Sequence, residues 1–112
     1  MSAERWTADS GTRDVAKLDI PADAQRERRF EIFCHLVVAN KAHRADATHG
    51  LRVLVDGALE WARSVPTQLD DQDSLDLRLY RSVPVGRPLR VTATCELRGA
   101  QRVSLRISAE EE

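Results

Sequence analysis

Asp56 is the residue best placed to do chemistry in this chain. It lies within HGLRVLVDGALEWARSV (49–65), where most neighbours are apolar. A carboxylate in that setting is costly unless it is paired or faces a cleft. Facing a cleft, it can serve as a general base or as a nucleophile. The plainer reading is an ion pair with Arg52 or Arg63, or a solvated face. Glu60 falls four residues further along the same polar stripe. Asp46 lies just upstream in KAHRADAT, where it reads first as a helix cap and second as an acid. His49-Gly50 opens the apolar segment. If a helix starts there, its free backbone N–H groups, those of Gly50 and Leu51, can hold a developing oxyanion. A simple loop-to-helix junction would look the same.

Other reactive side chains promise less. His35, His43 and His49 lack paired ligand spacing, and no Cys-x-x-Cys accompanies them, so no metal and no cofactor is expected. Cys34 and Cys95 fall on apolar faces and read as buried thiols. A Cys34–His35 nucleophile pair is unsupported, because strand neighbours point to opposite faces. The two cysteines with Trp61 between them hint at an immunoglobulin-like sandwich. Trp61 is too far from Cys34 for that framework, and Ala93 stands where its corner tyrosine would be.

The elements that position these residues follow from periodicity. In 49–65, Arg52, Asp56, Glu60 and Arg63 form one polar stripe at helical spacing. Leu51, Leu54, Val55, Ala58, Leu59, Trp61, Ala62 and Val65 cover the rest, which predicts a buried helix. Thr48 can cap it and Pro66 stops it. Asp56-Gly57 can also signal a hairpin turn, but the helical pattern fits more residues. Gly57 inside a helix costs about 1 kcal/mol and would mark a close backbone approach. Segment 29–39 alternates at Phe30, Ile32, Cys34, Leu36 and Val38 and reads as a strand, although helical spacing also fits. Residues 14–20 suggest a short edge strand. Three strands follow the helix, around Leu75–Tyr80, Leu89–Arg98 and Arg102–Ile107, with turns at Pro84–Pro88 and Gly99. Each has one dry face, as in an antiparallel sheet covered on one side. Residues 1–13 read as a flexible tail and 14–112 as one domain.

Composition sets the outer bounds. Seventeen Lys+Arg against eighteen Asp+Glu leave a net charge of −1, which argues against a nucleic-acid binder. No stretch approaches 18 consecutive apolar residues, so no membrane helix is expected. MSAERWTADSGTRD lacks a signal-peptide core, which predicts a cytoplasmic protein.

The order of elements resembles the hotdog fold of acyl-thioester hydrolases and hydroxyacyl dehydratases. His49-Gly50 followed by LRVLVDGALEWA resembles that fold's central helix. Arg81 to Val91 resembles its strand, Pro/Gly turn and long curved strand. The likeness covers about residues 48–109. It departs at Leu51, where the family has a second glycine, and in a shorter gap from His49 to Asp56. It implies an α+β domain whose antiparallel sheet wraps one buried central helix, about 49–65.

By that resemblance the protein would hydrolyse an acyl thioester on coenzyme A or an acyl carrier protein. Asp56 would activate water, and His49, Gly50 and Leu51 would form the oxyanion site. Asp46 and Glu60 are secondary candidates. Leu54 and Val85 would line an acyl tunnel. A homo-oligomer, a dimer or tetramer, would place sites between subunits. Arg78, Arg90, Arg98, Arg102 and Arg106 would meet coenzyme A phosphates or a carrier protein, or simply form a solvated sheet face. Two alternatives stand beside this: a non-catalytic acyl-ligand binder or assembly subunit, and a small β-sandwich interaction module if 49–65 is a hairpin.

Overall fold

The structure, a computed structural model, describes residues 3–69 and 72–112. They form eight strands, with no helix among the described residues. These are β1 (Arg5–Asp9), β2 (Val15–Ile20), β3 (Arg28–Ala39), β4 (Thr48–Val55), β5 (Ala58–Pro66), β6 (Gln72–Val83), β7 (Leu89–Arg98) and β8 (Gln101–Glu111). They build two four-stranded sheets, in the orders β1-β8-β3-β6 and β2-β7-β4-β5, with every pairing antiparallel. The architecture is a β-sandwich.

The predicted α+β hotdog-like fold is therefore wrong, and so is its central helix. Residues 49–65 form the β4–β5 hairpin. Asp56 and Gly57 occupy the two turn positions at φ 50° and 83°. Both values lie in the left-handed region that a two-residue hairpin turn requires and that Asp-Gly favours. Gly57 is thus selected by its backbone angle; a Cβ there would meet nothing within 4 Å. The close approach occurs instead at Gly50, where a Cβ would stand 3.2 Å from the Arg63 carbonyl oxygen on β5.

The core lies between the sheets. Phe30, Ile32, Cys34, Leu36 and Val38 of β3 are fully buried, as are Leu105, Ile107 and Ala109 of β8. Facing them are Leu51 and Val53 of β4, Val91 and Ala93 of β7, and Leu18 and Ile20 of β2. Each large apolar side chain removed from water contributes about 1.5–3 kcal/mol, so this alternation holds the sheets together. The cysteines face the core from opposite sheets, Cys34 on β3 and Cys95 on β7, and both are free.

The segment read as a tail, 1–13, contributes β1; residues 1–2 lie outside the described residues. β1 pairs with β8, which sets Trp6 opposite Ala109 and Ala8 opposite Ile107. A polar cluster fixes its start. Arg26 donates to Glu4 and pairs with Glu111, and the buried Arg28 donates to Glu4 at 3.0 Å and to the Pro21 carbonyl at 2.8 Å. Arg28 also lies 5.5 Å over the Phe30 ring. The hydrogen bond from Arg26 and the Glu4 amide hold the Glu111 carboxyl down at about 2.

Candidate binding cleft at the loop end

Strands β2, β4 and β6 all finish at one end of the sandwich. Their loops, 21–27, 56–57 and 84–88, therefore cluster there. Two open clefts cut into this cluster, about 650 Å³ and 370 Å³, and they share Asp56, Pro88 and Leu89. The larger also presents Asp19, Pro21 and Arg90; the smaller presents Arg81, Ser82 and Arg87.

Backbone ties hold the cleft in shape. The Asp56 amide donates to the Arg90 carbonyl at 2.8 Å, and the Arg90 amide donates to Asp56 Oδ1 at 2.9 Å. The Gly86 amide donates to the Asp23 carbonyl at 2.7 Å, which joins the loops at 84–88 and 21–27. Asp23 Oδ1 in turn accepts from the Gln25 amide at 2.9 Å, a bond that keeps its carboxyl below the usual range. Arg90 Nε donates to Asp19 Oδ1 at 2.6 Å, and this raises the Arg90 pKa. The cleft thus sets two carboxylates and a guanidinium around an apolar floor of proline and leucine.

The site residues expected from sequence do not converge. Asp56 sits on a turn, not inside a helix. His49 is fully buried in the core, and Nδ1 shares a 2.7 Å hydrogen bond with Thr67 Oγ1. Seven residue steps along β4 and into its turn separate His49 from Asp56, about 23 Å. Gly50 and Leu51 lie in β4, paired with β5 and β7, so they open no helix. Asp46 lies in the β3–β4 loop, gripped by Arg44 at 2.9 and 2.8 Å, and that contact lowers its pKa. Glu60 lies on β5 and pairs with Arg81.

The basic face also dissolves. Arg78, Arg102 and Arg106 lie on one sheet and Arg90 and Arg98 on the other. Arg78 pairs with Glu31, Arg90 with Asp19, Arg102 with Asp14, and Arg106 with Asp9. No group of three or more His, Cys, Asp or Glu that could hold a metal occurs among the described residues. Asp19 and Arg87 carried no site signal in the sequence, and Arg90 stood out only as one of five arginines on a supposed basic face, not as a partner of Asp56. The one available signal was the Pro84–Pro88 turn, which marks the loop that carries Arg87 to the cleft.

No protein-family model and no curated protein matches this chain. Among solved structures it is similar to latent PorU from Porphyromonas gingivalis, at 14% identity and a TM-score of 0.57. That match covers 97% of this chain and 12% of the PorU chain. A family 35 carbohydrate binding module from an environmental isolate aligns at 13% identity over 83% of this chain and 64% of its own, with a TM-score of 0.44. A CBM35 from Cellvibrio japonicus Abf62 aligns at 16% identity over 88% and 67%, with a TM-score of 0.41.

The PorU likeness agrees with the all-β sandwich and bears on fold alone. The hotdog resemblance is overturned, because the helix that carried it is a hairpin. Its consequences fall with it: a thioesterase-like hydrolase, coenzyme A or acyl-carrier-protein partners, an acyl tunnel, and a homo-oligomer with sites between subunits. The small β-sandwich module is the reading that fits.

Proposed function

We propose that this sandwich is an interaction module that binds a hydroxyl-rich ligand, an oligosaccharide, in the loop-end cleft. The observation that carries the reading is the arrangement of Asp19, Asp56 and Arg90 around Pro21, Pro88 and Leu89. Hydroxyl pairs need acceptors and donors side by side. One oxygen of each carboxylate is already committed, Asp56 Oδ1 to the Arg90 amide and Asp19 Oδ1 to Arg90 Nε. The Asp19, Asp56 and Arg90 side chains all remain exposed to solvent. The C–H face of a sugar ring would rest on the proline and leucine surface. Carbohydrate also appears in the names of the family 35 modules; the proposal for this chain rests on its own cleft chemistry.

Loops on a rigid sandwich are the ordinary place for such sites. The ties between Asp56 and Arg90, and between Gly86 and Asp23, preorganise the cleft and lower the ordering cost of binding. Calorimetric titration with a panel of neutral oligosaccharides tests the proposal. Binding on the order of 1 mM or tighter, at least about 4 kcal/mol, with at least a tenfold loss in Arg90→Ala, is expected. A panel without binding, or binding that Arg90→Ala leaves intact, would refute it.

A further inference from the structure

The two sides of the sandwich differ. On one side the edges are short: β1 has five residues and β2 six, and the two strands pack together. On the other side the edges are long. Among the described residues, β5, with nine residues, pairs with β4 alone, and β6, with twelve, pairs with β3 alone. The core is incompletely covered there. Trp61 and Val65 on β5 lie opposite the buried Val53 and His49, so they occupy inner-face positions. Leu77 and Leu79 on β6 lie opposite the fully buried Cys34 and Ile32. All four remain half-buried, whereas Leu75 and Val83, on the same face of β6, are buried. The Arg81–Glu60 ion pair bridges β6 and β5 only at the loop end of this seam.

We propose that the seam receives an extended strand of a protein partner, added to the free edge of β6. Two features choose the occupant. The outer edge of β6 has no strand partner among the described residues; Asp73 holds its Ser74 amide and Arg81 its Tyr80 carbonyl, and an extended chain can pair with the backbone groups that remain, which a globular face does not. β6 is the edge for pairing, because its register with β3 runs unbroken and it carries no proline, while β5 contains a bulge and ends at Pro66. A strand lying about 4.8 Å beyond β6 turns alternate side chains inward. Those side chains are apolar, because they cover Leu77, Leu79 and Trp61. Charge adds a further selection. Arg63 shares the inner-face register of β5, opposite Leu51, is exposed, and makes no ion pair among the described residues. The incoming strand therefore carries a carboxylate that meets Arg63. This site is separate from the loop-end cleft and does not depend on it.

The probe is a short peptide alternating valine and threonine, with one central glutamate. Amide hydrogen exchange and nitrogen-15 shifts are read on the whole chain. The expected result is slowed exchange at the alternate β6 amides that point away from β3. Arg63→Glu, an exposed change that leaves the core intact, should weaken this peptide by about fivefold, the upper range for a cross-strand charge pair. The same variant should favour the lysine version of the peptide. Leu79→Lys should abolish binding of either peptide. Peptide binding without β6 protection, or no charge reversal with Arg63→Glu, would overturn the proposal. Sedimentation that shows the seam filled by a second copy of the chain would overturn the choice of partner.

Discussion

Asp56 and Arg90 exchange two hydrogen bonds across the loop end. The Asp56 amide donates to the Arg90 carbonyl at 2.8 Å, and the Arg90 amide donates to Asp56 Oδ1 at 2.9 Å. One residue thus turns the β4–β5 hairpin, docks it against the start of β7, and keeps a carboxylate oxygen for the cleft.

This double role separates two substitutions. Asp56→Asn keeps an oxygen acceptor for the Arg90 amide, and Asn-Gly suits the same turn. Its unfolding free energy should stay within about 0.5 kcal/mol of the parent. Asp56→Ala loses the acceptor and places alanine at φ 50°, which should cost about 1–3 kcal/mol. Urea denaturation of both variants checks this; equal stabilities would contradict the turn geometry.

Acid stability should depend on Glu111. Its folded pKa, about 2, lies below the ordinary glutamate value because Arg26 and the Glu4 amide stabilise the carboxylate. A depressed folded pKa contributes stability above the unfolded pKa, and that contribution disappears as pH falls towards 2. Glu111→Gln should therefore be less stable than the parent at pH 7. The gap should narrow as pH falls below about 4.3. Denaturant midpoints across that window provide the measurement; a gap that widens at low pH would contradict the pairing.

The cysteines should be chemically quiet. Burial pushes the Cys34 thiol up to about 12, and burial together with the nearby Asp14 raises Cys95. Thiolate is the reactive form, so neither side chain should react readily in the folded protein at neutral pH. A disulfide-exchange reagent should label both on unfolding, and Cys34 should be the slower under native conditions. Rapid native labelling of Cys34 would mean that β3 is not sealed against the opposite sheet.

These features were unevenly legible in the sequence. β3, β6 and β7 alternate with one dry face, and β8 does so from Leu105 onward, Val103 being displaced by a bulge and exposed; their strand character follows from that period. The β4–β5 hairpin showed only in its Asp56-Gly57 turn signal, which the helical pattern outweighed for two physical reasons. Outward positions such as Leu54, Leu59 and Ala62 are also apolar, so alternation is masked. The bulge near Val53/Leu54 shifts the register, and inward residues of β5 then fall at Ala58 and Trp61, a three-residue step that imitates a helix. β1 offers only Trp6 and Ala8 as inner-face residues, too few for a period. Asp56 stood out as a lone carboxylate among apolar residues, but its cleft partners Asp19 and Arg90 are brought to it by sheet order, which local spacing does not encode.

Mapping nitrogen-15 amide shifts during titration with the neutral oligosaccharides shows whether the loop end is the ligand-facing surface. The expected shifts concentrate at Asp19, Asp56, Gly57, Leu89 and Arg90, with His49, at the far end of β4, unmoved. Saturable shifts confined to any other face, or none at all, would contradict that assignment.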